Sequence, residues 1–145
     1  MLLPHGLLVL VLDGSRMQLL RNEGTSAKPQ LELLASDHVE HPATHLLGTD
    51  RPGRSFGSAG TSRHAYTETD LHERQEAQFA LAALNRLVAL SEESGVIFVA
   101  PPRVLGQLRQ EASRSLGGRV VASFDHDLAH RRPQEICAFL VDQEV

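Results

Sequence analysis
The chain has 145 residues, 41% of them apolar and 22% charged, a composition that is globular and excludes a disordered protein. Its net charge of −4 excludes a uniformly cationic glove for nucleic acid. The one cysteine, Cys137, excludes an internal disulfide framework and a multi-cysteine zinc site.

A single domain over residues 1–145 is expected at this length, burying about 70% of its unfolded surface. Leu7–Leu12 is an unbroken Leu/Val run, the pattern of a strand covered on both faces. Asp13-Gly14 follows as a tight-turn signal, and Met17–Arg21 returns as an antiparallel partner. Asn22-Glu23-Gly24 ends that strand, and Leu31–Glu40 reads as a third.

Residues 41–66 are rich in Gly, Ser, Arg and His and carry no periodic apolar pattern, so they are expected to form a long loop. Asp70 with Glu73 three residues on gives a capping-box start to a long helix. Phe79, Ala80, Ala83, Leu84, Leu87 and Val88 recur at helical spacing and should face the sheet. Gly95 is its stop signal. Val96–Ala100 is a second fully apolar strand, Pro101-Pro102 opens a helix near Arg103, and Gly117-Gly118 closes it. Val120–Ser123 reads as a short strand, residues 124–132 as a polar connection, and Pro133 as the start of a last helix through Ile136, Phe139 and Leu140.

The order is β-β-β-α-β-α-β-α. It predicts an α/β protein with a mixed five-stranded sheet: a three-stranded antiparallel meander, a parallel βαβ unit, and helices on both faces. This pattern resembles the ribonuclease H-like architecture. The apolar N-terminus lacks a basic leader region and a small-residue cleavage site, and its longest apolar run is far short of a membrane span. A cytoplasmic protein without membrane contact is therefore expected.

Five segments carry a family resemblance. They are LVLDGSRMQLL in the 8–20 region, GTDRPGRSF (48–56), TETDLHERQEAQFA (67–80), VIFVAPPRVLGQLR (96–109) and FDHDLAH (124–130). Together they resemble the bacterial host attachment proteins, which are grouped with bacterial relatives of archaeo-eukaryotic peptide-chain release factors. The resemblance spans about residues 6–142. It implies the ribonuclease H-like fold of the release factors' middle domain, and a role linked to translation or to attachment to host cells. In those release factors the loop after the third strand carries Gly-Gly-Gln. The equivalent residues 41–66 here hold Gly53, Gly57 and Gly60 and no glutamine.

Charge is distributed unevenly. Residues 41–66 carry Arg51, Arg54 and Arg63 against Asp50, and residues 101–132 carry six arginines against Glu111, Asp125 and Asp127. If the two segments meet, they form a basic patch on an acidic body. Arg51, Arg54, Arg63, Arg103 and Arg109 are the expected phosphate contacts, since a guanidinium grips phosphate with two parallel bonds. Phe56 and Tyr66 are expected to stack on bases, with Asp50, Pro52 and Gly53 shaping the loop.

Catalytic constellations are sparse. Asp13 ends the first strand, where two-ion nucleases place a carboxylate, but the fourth strand ends in Ala100-Pro101-Pro102 without an acid. Asp125 and Asp127 do not complete such a set. The pairs His41/His45 and His126/His130 have i,i+4 spacing but fall in expected loops. Cys137 sits in a helical apolar pattern and reads as a small core residue. No catalytic residue, metal or cofactor is assigned. The favoured function is a non-enzymatic factor that contacts structured RNA or the ribosome. The alternatives are attachment to host cells through a protein partner, and a peptidyl-tRNA hydrolase or metal-dependent nuclease.

Overall fold
The structure, a computed structural model, describes residues 1–40 and 57–144. Five strands run as β1 (Leu8–Leu12), β2 (Arg16–Asn22), β3 (Leu31–His38), β4 (Val96–Ala100) and β5 (Val120–Asp125). The α-helices among the described residues are α1 (Gly57–Leu90) after β3, α2 (Pro102–Ser115) after β4, and α3 (Pro133–Val141) after β5.

The strands form one mixed sheet in the order β3-β2-β1-β4-β5. β1 pairs antiparallel with β2 from Leu8↔Arg21 to Leu12↔Met17, and parallel with β4 from Leu8↔Val96 to Val11↔Val99. β2–β3 is antiparallel and β4–β5 parallel. The α/β class, the meander and the parallel unit are thus as expected. The two apolar runs are the two innermost parallel strands, and every residue of both is buried.

Alternation on these strands sends side chains to two cores. On one face Leu8, Leu10, Leu12, Val96 and Phe98 meet Phe79, Ala80, Ala83, Leu84 and Leu87 of α1 and Val104, Leu105 and Leu108 of α2. On the other face Val9, Val11, Leu20, Ile97 and Val99 meet Ile136 and Leu140 of α3. The helical face expected at residues 79–88 is the one that packs. Gly117, at φ +57°, takes the left-handed turn that ends α2.

The largest boundary difference from expectation is at the start of α1, and β3 ends at His38, two residues short of the expected Glu40. α1 begins at Gly57, so Asp70 and Glu73 lie within it and do not cap it, and residues 57–66 of the expected loop are helical. Residues 41–56 of that loop lie outside the described residues. The physical reason is propagation. A helix anchored in the core at Phe79–Leu87 adds residues without a new nucleation cost, which carries it through poor helix formers. β5 also runs two residues further than expected, to Asp125, because Ala100 pairs with it.

Candidate functional site
The carboxyl ends of β1, β4 and β5 share one edge of the sheet, where ligands commonly approach parallel strands. The β1–β2 turn occupies its middle. Asp13 Oδ1 accepts from the backbone N–H groups of Ser15 and Arg16, each at 2.8 Å. The Asp13 carboxylate is therefore used by its own turn. The turn signal read at Asp13-Gly14 holds, although Gly14 is not in the positive-φ region.

What Gly14 provides is room. A Cβ there would lie 2.8 Å from both Cγ and Oε2 of Glu76, so the Glu76 side chain of α1 rests directly over the turn. Glu76 Oε1 in turn meets Arg103 Nη1 at 3.1 Å, in the first turn of α2. The glutamate is the more enclosed partner, at 26% exposure against 61% for the arginine. Sequence patterning gave no signal for this pair, because its members stand on different helices.

The expected arginines are spread out. Arg103 is engaged by Glu76, and Arg109 is exposed on α2. Six residues apart on one helix, they project about 120° from each other. Arg119 stands at the opposite, amino edge, donating to the Ser94 carbonyl at 3.3 Å. Arg114 reaches Glu111 at 4.0 Å, and Arg131 and Arg132 share Glu135 at 3.6 and 3.5 Å. Residues 101–132 therefore form no single cluster. Arg63 and Tyr66 fall on α1, whose side chains are described from Asp70 onward. Asp50, Arg51, Pro52, Gly53, Arg54 and Phe56 lie outside the described residues.

Below β5, His130 Nδ1 is 4.0 Å from Asp127 Oδ1, and the His126 ring lies 4.6 Å from that of Phe139. The His126/His130 spacing thus brings no shared ligand geometry. Among the described residues, no three His, Cys, Asp or Glu side chains gather as they would around a metal ion. No helix among them is long and apolar enough to cross a membrane.

Cys137 is half-buried beside the Pro29 carbonyl, with Sγ at 3.7 Å, and packs against the α3-side core. Burial pushes its thiol up from the ordinary range, opposed by the Leu31 backbone. That is the behaviour of a packing residue and the reverse of an activated nucleophile.

Against known proteins, the family model described as "Protein required for attachment to host cells" matches residues 8–140. No match was found among curated proteins.

Proposed function
The chain belongs to the family of proteins required for attachment to host cells, and we propose that it acts there as a binding factor whose contact surface is the carboxyl edge of the sheet with the amino-terminal part of α1. The observation that carries this reading is the reach of α1. At 1.5 Å per residue, its 34 residues extend about 51 Å. Among its described side chains, those from Phe79 onward are the ones that contribute to the core. Glu76 marks the carboxyl edge, so residues 57–75 continue about 28 Å past it.

The partner we propose is structured RNA, with the ribosome as the first candidate. The strand order β3-β2-β1-β4-β5 supports a ribonuclease H-like fold and, through it, kinship with the middle domain of release factors. Arg51, Arg54 and Arg63 precede or lie on the projecting part of α1 and are the proposed phosphate contacts. Arg109, one of the exposed arginines of α2, is proposed to add to them. Phe56 and Tyr66 are the proposed stacking residues. Arg103, held by Glu76, contributes to the shape of this surface more than to its charge. The engagement of Asp13 by its turn supports binding over hydrolysis.

Co-sedimentation with ribosomes across a salt series tests the reading. Binding should fall steeply with salt. Arg51→Ala with Arg54→Ala should weaken it and flatten the log–log salt dependence by about one unit of slope for each phosphate no longer neutralised. Absence of binding at low salt overturns the RNA reading and leaves a protein partner as the route to attachment.

A further inference from the structure
The amino-terminal part of α1 has little within itself to hold it straight. Residues 57–69 include Gly57, Gly60, Thr61, Thr67 and Thr69, all weak helix formers. From Asp70 to Gln78 no side chain is fully buried, and among the described side chains of α1 the core contacts start at Phe79.

Just before those contacts stands Glu76, fixed from two directions. Its Oε1 meets Arg103, which ties α1 to α2. Its Cγ and Oε2 rest over Gly14, which ties α1 to the β1–β2 turn. Because Gly14 lies outside the positive-φ region, its backbone accepts an alanine. The added methyl meets the Glu76 side chain instead. Glycine at this position is explained by the seat it makes for the glutamate.

We propose that the Gly14–Glu76–Arg103 junction sets the direction and helicity of α1 beyond the sheet edge, with Glu76 as its positioning residue. The proposal takes its functional meaning from the reading that this part of α1 belongs to the contact surface. A half-exposed ion pair adds little to global stability. Its effect is expected in the turns of α1 that adjoin it, and local opening reports that separately from global unfolding.

Amide hydrogen exchange of the full chain, followed by mass spectrometry without any partner, tests it. Gly14→Ala and Glu76→Ala should each speed exchange in residues 57–75 by about two- to fivefold, with residues 79–90 unchanged. The double variant should exchange no faster than Glu76→Ala alone, because the seat at Gly14 has no role once the glutamate is gone. The exchanged pair, Glu76→Arg with Arg103→Glu, should restore slow exchange. Unchanged exchange in 57–75 overturns the proposal. So do additive effects in the double variant, or an equal rise in 79–90, which would report general loss of stability. Wild-type protein that fails to bind ribosomes overturns the RNA reading alone, since the exchange measurement needs no ribosome.

Discussion

The Gln18 side chain of β2 donates through Nε2 to the carbonyls of Ala129 and Arg131, at 3.0 and 2.6 Å. It binds the later part of the β5–α3 connection to a strand on the far side of β1 and β4. That connection has few apolar anchors besides Leu128 and Ala129, so these two bonds set its course. Gln18→Ala should cost about 1–2 kcal/mol, read from urea denaturation. Gln18→Glu should cost more, because its carboxylate would face two carbonyl oxygens with no proton to offer.

Asn22 is the one fully buried polar side chain among the described residues, at 0% exposure. Its Nδ2 donates to the carbonyls of Leu3 and Pro4, at 2.6 and 3.1 Å, and its Oδ1 accepts from the amides of Gly24 and Gln30, both at 2.9 Å. All of its principal bonding capacity is satisfied. Asn22→Asp keeps the shape and reverses two of the four bonds, so it should destabilise by about 3 kcal/mol or more. The melting temperature of Asn22→Asp should recover partly as the pH falls and the buried carboxyl takes up a proton.

Glu135 closes the amino end of α3. Its Oε1 accepts from the Arg132 amide at 3.1 Å. That backbone bond, with the guanidiniums of Arg132 and Arg131 beside it, holds the carboxyl below the ordinary carboxylate range. A depressed native value means that the stabilisation is present above the unfolded-state value and is lost as pH falls through the native one. The first turn of α3 should therefore open in acid, below the usual carboxylate range. Carbon-detected titration of the Glu135 carboxyl should show the lowered midpoint, and Glu135→Gln should remove this part of the pH dependence.

Cys137 makes the opposite prediction at high pH. Burial raises its thiol value in the native state, so the unfolded thiol ionises first. The associated stability is present at neutral pH, begins to fall as pH passes the unfolded-state value, and is lost as pH rises toward the native one. Alkylation of the native protein at pH 8 should run about tenfold slower than in urea. Cys137→Ala should leave the neutral-pH fold intact and flatten the alkaline decline.

Some elements were legible because their burial leaves a mark on the sequence. β1 and β4 are covered on both faces, so both appear as unbroken apolar runs. The packing face of α1 was legible at Phe79–Val88 for the same reason. Its beginning was not. Glycine and threonine at 57–69 argue locally against helix, and Asp70 with Glu73 imitates a cap while also being an ordinary i,i+3 spacing within a helix. Propagation from a packed segment overrides both signals. The site was less legible than the fold. Counting arginines along residues 101–132 treats Arg103 and Arg119 alike, yet the fold sends them to opposite edges. Arg131 and Arg132 are answered by one acid, Glu135, which lies just past the end of that window. The Glu76–Arg103 contact depends on how two helices cross over a turn, which no local window contains.

The pairing of Leu8 with Val96 also orders events during synthesis. The meander of β1, β2 and β3 is complete early, but its most apolar strand lies at the open side until β4 emerges. Closing that gap requires contacts far apart along the chain, the slow kind in folding. While translation proceeds through α1, the nascent chain carries LVLVL as an unpaired sheet edge, a template for wrong pairing. Chaperone demand should thus peak between the emergence of residues 38 and 100 and end when Val96–Ala100 docks.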